Sequence, residues 1–295
     1  MILVFTVICQ LVFNVPNRVD EILSMLRNPT DDYVFVAAHR GDWRNAPENS
    51  LQSIENCINI GVDIVEVDIR RTKDGYLILM HDETVNRTTN GKGFVHEMSF
   101  QEIRKLNLVN SIGIVTHHRV PTLKEALDVV RNRILINLDK SSGLGSEILK
   151  VAHETGTVHQ IILKGWMNDY SQVIEEYGDL LDSVIYMPVI DLTQPDYYDV
   201  YKSFFSEDFN MLAMEFTFKN GNDQFLKKLK TLRASNVSIW LNALWPEMSG
   251  GHHDERGVYD KEGAYGWLMD KGANIIQTDR PQMLLEYLRD KDLHH

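Results

Sequence analysis

Cysteine is almost missing from this sequence: two residues, Cys9 and Cys57, among 295. Two cysteines build no disulfide framework, and with no close His-x-x-x-His pair they build no zinc site. Cys57 falls on the apolar face of a helical pattern beside Ile54 and Ile58, where it reads as core filler. Basic charge is also short, with 30 Lys and Arg against 42 Asp and Glu, a net charge of −12. A nucleic-acid backbone needs a basic face, so DNA and RNA are not expected partners. A pocket for a small anion is not excluded, because a few cations or one metal ion suffice there. No linker-like or low-complexity stretch divides the chain, and its length is enough for one full core. The N-terminal run "MILVFTVICQLVFNV" has the length of a signal-peptide h-region but lacks a basic n-region and a clean cleavage site. It is short for a membrane span. Residues 1–30 are therefore set apart as an export signal or packed lead-in. An exported or periplasmic location is favoured over a cytoplasmic one, and membrane association and oligomeric state stay open.

From residue 33 onward, short β-rich runs alternate with helical patterns. Eight runs each precede a helix: "YVFVAAH", "VDIVEVDI", "RILINLD", "QIILKG", "SVIYMPVI", "MLAMEFTF", "VSIWLNAL" and "ANIIQTD". The helices are expected to start near Ser50, Thr122, Gly145, Asp169, Asp196, Asn222, Glu262 and Arg280. A ninth run, "YLILMHD", is joined to "VDIVEVDI" only through "RRTKDG", whose Asp74-Gly75 is a hairpin-type turn. A parallel crossover needs a dozen or more residues, so this pair must run antiparallel. Eight strand–helix units predict an α/β protein, a (β/α)8 barrel over 31–292, with an insertion of about 70–121 after the second strand. A doubly wound open sheet is the alternative.

Strand C-termini form the active-site face of such a barrel. The residues that fall there are His39 and Arg40, Glu66 and Asp68, Asp139, Lys164, Glu215 and Asn242. Glu66 and Asp68 are two apart on one strand and share a face. Two carboxylates side by side repel unless a cation or proton intervenes, and with Asp139 they offer three hard oxygen ligands for Mg²⁺ or Ca²⁺. His81 closes the antiparallel excursion and is expected to return near Glu66 and Asp68, so that His39 and His81 flank one acidic cluster as a general acid–base pair. Arg40 or Lys164 can then hold a phosphate. Lys140 directly follows Asp139, and strand alternation is expected to turn it away. Tyr186, Glu215, Trp240 and Asn242 are candidates for a head-group pocket, with a barrel-filling aromatic and a buried ion pair as the plainer reading. "EMSGGHHDERG", residues 247–257, reads as a polar lid-like loop whose His252, His253 and Asp254 are weaker metal candidates.

The segments "AHRGDWRNAPENS", "GVDIVEVDIRRTKDGYLILMHDETVNRTTNGKG", "VPTLKEAL" and "GANIIQTDRP" together resemble the glycerophosphodiester phosphodiesterase family. The resemblance runs in order from about residue 34 to 290 and is densest between His39 and Gly93. It implies a TIM barrel with an inserted segment after the second strand. It further implies His39 and His81 as catalytic acid–base pair, Glu66 and Asp68 as ligands of one divalent cation, Ca²⁺ or Mg²⁺, and Arg40 on the phosphate. Many members carry a metal-binding Glu in an E-x-K strand; "LINLDK" departs from that, with Asp139 as substitute ligand and Lys164 as substitute cation. A small glycerophosphodiester is the implied substrate. A phospholipid phosphodiesterase or sphingomyelinase D-like lyase on the same barrel is the alternative, and a non-catalytic phosphodiester-binding module ranks below it.

Overall fold

A computed structural model describes residues 17–30, 32–205, 209 and 211–295. The N-terminal apolar run and Cys9 lie outside the described residues. Among the described residues eleven strands follow in chain order: β1 (Phe35–Ala38), β2 (Ile64–Arg71), β3 (Leu77–Leu79), β4 (Asn107–Val109), β5 (Val115–Arg119), β6 (Leu135–Asp139), β7 (Ile161–Trp166), β8 (Ile185–Asp191), β9 (Ala213–Thr217), β10 (Ser238–Asn242) and β11 (Ile275–Thr278). Eight of them pair in parallel in the order β1-β11-β10-β9-β8-β7-β6-β2, and β1 pairs back onto β2, closing the sheet into a (β/α)8 barrel. The eight expected strands are the eight barrel strands. β3 runs antiparallel to β2, with Ile69 opposite Leu79, as the short Asp-Gly connection requires.

Three of the helices that follow barrel strands begin at a side-chain cap. Ser50, Thr122 and Asp169 each accept a backbone N–H from the first turn of the helix they precede, and Gly61 ends the Leu51–Ile60 helix in a left-handed conformation. Cys57 on that helix is buried in the barrel–helix core.

Inward-facing side chains change character along the strands, because every second residue faces in. At the N-terminal end Phe35, Ile64, Leu135, Ile162, Met187, Ala213, Trp240 and Ile275 give one apolar layer, one residue from each strand. The helix Arg18–Arg27 lays Val19, Ile22, Leu23 and Leu26 on that layer. Burying each of these side chains contributes about 1.5–3 kcal/mol, so this helix is a plug for the barrel floor. Two residues further along, the same strands carry Glu66, Asn137, Lys164, Glu215, Asn242 and Gln277. The floor is a core, and the mouth is polar.

The insertion has a small core of its own, which includes Ile78, Met80, Val85, Ile103, Leu108 and Val120. Its outermost piece is the two-stranded β4–β5 hairpin, which pairs with no barrel strand. No helix among the described residues is long and apolar enough to cross a membrane.

Candidate active site

The first barrel strand breaks at an unusual backbone. His39 still donates its N–H to Thr278 O at 3.1 Å, continuing the sheet. Arg40 (φ 55°) and Gly41 (φ 74°) then take successive left-handed conformations. Such a conformation costs a non-glycine residue about 1–2 kcal/mol. It turns the Arg40 N–H onto Glu66 Oε2 at 2.9 Å, and its guanidinium lies 3.3 Å from Glu48 and 3.5 Å from Asp68. A Cβ on Gly41 would collide with Ser53 Oγ, so glycine is required. Asn49, also left-handed, donates its Nδ2 to Asp68 Oδ2 at 2.8 Å and accepts the Asp68 N–H at 3.0 Å. The His-Arg-Gly and Pro-Glu-Asn stretches thus fix the acids of β2 in place.

Those acids converge. Glu66, Asp68 and Asp139 each bring a carboxylate oxygen within 4.8 Å of the others. Burial and the neighbouring Asp68 push Glu66 up to about 7. Burial opposes ionisation of the other two acids as well, but Lys140 and Arg40 hold Asp68 low, and Lys164 and Lys140 bring Asp139 down to about 2. Lys164 sits 3.5 Å from Asp139 and 3.8 Å from Glu215; burial disfavours its charge, and the two carboxylates outweigh burial and raise it. Glu66 Oε1 is buried with no hydrogen-bond partner, as is Asn137 Oδ1 on the neighbouring strand. A buried anionic oxygen without a donor is costly unless a cation meets it. Three hard oxygens with one left open fit a divalent cation such as Mg²⁺ or Ca²⁺.

Two histidines stand at this cluster, each backed by a carboxylate. His39 Nδ1 lies 2.8 Å from Asp279 Oδ1, which also accepts Trp43 Nε1–H at 2.7 Å. Asp279 is itself held by its backbone N–H on Asp254 Oδ2 at 2.6 Å. His81 Nδ1 lies 2.7 Å from Asp82 Oδ1, and Arg87 ties Asp82 (2.9 Å) to Glu48 (2.6 Å), clamping the insertion onto the first loop. The Met80 N–H donates to Asp68 O at 3.0 Å, which brings the next residue, His81, back to the acids. The two imidazoles shift in opposite directions. Burial would lower His39, but the Asp279 hydrogen bond and the Glu66 charge raise it; burial lowers His81 despite Asp68 and Asp82. Two cavities open at this face. One, of about 580 Å³, is lined by His39, Arg40, Trp43, Trp245 and Asp279; the other, of about 510 Å³, by Asp139, Lys164, Trp166, Asp191 and Glu215.

A family model, the glycerophosphoryl diester phosphodiesterase family, matches residues 39–184, which hold the histidines, the acids and Lys164. Residues 39–184 are thus a domain of the glycerophosphoryl diester phosphodiesterase family. A second family model, described as a domain of unknown function, matches residues 186–288. Among curated relatives, a glycerophosphodiester phosphodiesterase of Caldanaerobacter subterraneus is 36% identical over 145 residues, 46% of this chain and 59% of that one. Glycerophosphodiester phosphodiesterase 1 of Mus musculus is 41% identical over 112 residues, 37% of this chain and 34% of that one. The matched part thus spans between a third and about three fifths of these relatives. In fold, the chain is similar to a glycerophosphoryl diester phosphodiesterase of Parabacteroides distasonis, with TM-score 0.73, 22% identity, and 93% and 92% of the two chains covered. It is also similar to an Oleispira antarctica phosphodiesterase solved with the product sn-glycerol-3-phosphate, with TM-score 0.63, 19% identity, and 86% and 96% covered.

His39, Arg40, Glu66, Asp68, Asp139, Lys164 and His81 gather at one mouth, and Glu215 and Asn242 join them through Lys164 and a 2.7 Å hydrogen bond from Asn242 Nδ2 to Glu215 Oε1. Trp240 does not. It is fully buried in the floor layer, its indole N–H shared between Asn242 (3.2 Å) and Gln277 (3.1 Å), because alternation puts it one layer below Asn242. Tyr186 is likewise buried, against Tyr177 on the helix side of the sheet. Lys140 overturns its expectation in the other direction: β6 ends at Asp139, Lys140 takes φ 59°, and alternation stops, so its Nζ reaches Asp68 Oδ1 at 3.0 Å. Residues 247–257 form no open loop. His252 stacks on Trp267 at 3.6 Å, and buried Asp254 braces Asp279, Thr278 and Tyr265. Sequence reasoning missed Asp279, Asp82, Glu48 and Arg87; their signal lay in quoted motifs, "TDRP", "HD", "PEN" and "RTT".

Proposed function

We propose that this protein hydrolyses glycerophosphodiesters to glycerol 3-phosphate and an alcohol. The observation that carries the reading is the open acidic triad set between two carboxylate-backed histidines at the barrel mouth. Family membership of residues 39–184 and a fold neighbour solved with sn-glycerol-3-phosphate support it.

Glu66, Asp68 and Asp139 would hold one divalent cation, Mg²⁺ or Ca²⁺. Bound there, it supplies charge stabilisation for a non-bridging phosphate oxygen. Arg40, beside Asp68, and Lys164, beside Asp139, flank the acid cluster and would offset the charge that develops on the phosphoryl group. Opposite shifts on paired titratable groups separate acid from base. His39, raised, enters protonated and gives its proton to the departing alkoxide; His81, lowered, enters neutral and takes the proton of the attacking water. The resemblance alone favours the reverse assignment, His39 as base. Asp279 and Asp82 orient the two rings, as the third member of a triad does.

The test is release of glycerol 3-phosphate from glycerophosphocholine, with EDTA, Mg²⁺ or Ca²⁺ present. Metal-dependent release, lost by about a hundredfold or more in His39→Ala and in His81→Ala, is expected. A p-nitrophenyl diester needs no proton on its leaving group, so it should restore turnover to His39→Ala and not to His81→Ala. Rescue of His81→Ala alone reverses the roles. No release by the folded protein with either metal removes the hydrolase reading.

A further inference from the structure

Asp254 lies within residues 186–288, the part matched by the family model of unknown function, yet its side chain serves the surroundings of His39. Its two oxygens divide between neighbours. Oδ2 accepts the Asp279 N–H at 2.6 Å, and Oδ1 accepts the hydroxyls of Thr278 (2.6 Å) and Tyr265 (2.7 Å). Thr278 and Asp279 are also the residues that His39 meets: Thr278 O accepts the His39 N–H, and Asp279 Oδ1 faces His39 Nδ1. Arg44 Nε donates to Asp279 O at 3.0 Å, so the N–H and the C=O of residue 279 are both gripped. Asp254 is fixed in turn by its own N–H on Ala243 O at 2.6 Å, and the Ala243 N–H donates to Gln277 O at 2.7 Å. Tyr265 comes to Asp254 from a π-helical turn, Glu262–Gly266, and Gly257 leaves room for its ring, since a Cβ there would stand 3.2 Å away. Single π turns recur at functional sites.

Folding alone is poorly served by a carboxylate at this place. Asp254 is 1% exposed, its three donors are all neutral, and the charge of Asp279 opposes its ionisation. Burial pushes it up to about 7, against the pull of those hydrogen bonds. An apolar side chain of similar size would fill the space at less cost, but it would leave the Asp279 N–H without an acceptor.

We propose that Asp254 is a positioning residue for the reaction, holding the Asp279 backbone so that the Asp279 carboxylate fixes the orientation and tautomer of the His39 ring. The proposal rests on the diester hydrolysis argued above. A backbone N–H only donates, whereas a hydroxyl can turn to donate or to accept. The Asp279 N–H is therefore the contact that demands an acceptor at residue 254, and the Thr278 and Tyr265 hydroxyls can adapt. Asparagine keeps that acceptor, with its amide group donating to the two hydroxyls. Alanine removes it and lets Asp279 shift, and a misplacement of about 1 Å costs about a hundredfold in rate.

The experiment measures turnover per folded molecule on glycerophosphocholine and on a p-nitrophenyl diester, together with the downfield imidazole N–H proton signal that His39→Ala removes. Asp254→Ala is expected to lower kcat on glycerophosphocholine by about tenfold to a hundredfold, with KM within about twofold. Its dependence on the leaving group should copy that of His39→Ala, and the His39 signal should shift or disappear. Asp254→Asn should stay within about threefold of wild type and keep the signal. Tyr265→Phe, which removes one donor and spares the Asp279 contact, should do the same. If Asp254→Ala does not fold, Asp254→Glu takes its place, because it keeps the charge and displaces the oxygens. A folded variant with wild-type kcat, or one that slows both diesters equally with the signal unmoved, overturns this proposal alone. So does an Asp254→Asn as damaged as Asp254→Ala. A folded wild type that releases no glycerol 3-phosphate removes the hydrolase reading and this proposal together.

Discussion

Asp63 and Glu66 stand three residues apart at and beside the start of β2, both buried, one at the floor of the barrel and one at its mouth. Asp63 accepts from the Arg18 guanidinium at 2.6 Å, the Tyr33 hydroxyl at 2.7 Å and the Val36 N–H at 2.9 Å, and it pairs with His294 at 2.9 Å. Glu66 accepts the Arg40 N–H on one oxygen and nothing on the other. The floor acid is saturated, and its partners include Arg18 of the plug helix and His294, so it ties both to the barrel floor. At the mouth the acid keeps spare capacity, and three residues there, Arg40, Asn49 and Lys140, are left-handed to hold the cluster. Strain and unmet hydrogen-bonding capacity collect where a ligand is to be met.

Breaking the floor should give the largest effect on folding. Asp63→Ala strands Arg18, Tyr33 and the Val36 N–H, and is expected to lower unfolding stability by about 3 kcal/mol in a urea titration. Turnover per folded molecule should not change. A matched loss of activity at full folding would mean that the two ends of the barrel are not separable in this way.

Glu66→Gln sharpens the contrast. It removes a buried charge met by a single donor, the Arg40 N–H, so in EDTA stability should hold or rise, by about 1 kcal/mol at most. Diester hydrolysis should be lost. A destabilisation as large as that of Asp63→Ala would show that Glu66 is a structural acid after all.

The smallest effect is one of pH. With His39 as the protonated partner and His81 as the neutral one, kcat/KM should fall below the depressed pKa of His81 and above the raised pKa of His39. Asp279 favours the charged imidazole of His39, so Asp279→Asn should move the alkaline limb to lower pH and leave the acid limb in place. An acid limb that moves instead would assign that histidine the opposite role.

The barrel was legible because its signals are local. Eight apolar runs, each followed by a helical pattern, announce eight βα units, and the Asp-Gly turn announces that β3 runs antiparallel to β2. Glu66, Asp68 and Asp139 were legible through a period of two. Trp240 was not, because depth along the barrel depends on where each strand starts relative to its neighbours, and one layer separates floor from mouth. Lys140 was misread because alternation holds only while the strand lasts, and a left-handed residue ends it. Asp279 and Asp254 back His39 from more than 200 residues away, a relation of space that no local pattern carries. Residues 247–257 looked like a loop for the same reason: their partners, Trp267, Tyr265 and Thr278, are brought by the fold.

The most direct measurement is a calorimetric titration of Mg²⁺ and Ca²⁺ into EDTA-stripped protein, with wild type, Glu66→Gln and Asp63→Asn side by side. One ion per chain is expected for the wild type and for Asp63→Asn if it folds, with binding lost or weakened by about tenfold or more in Glu66→Gln. Equal binding by wild type and Glu66→Gln, or no binding by a folded wild type, would contradict the assignment of the mouth acids to a cation.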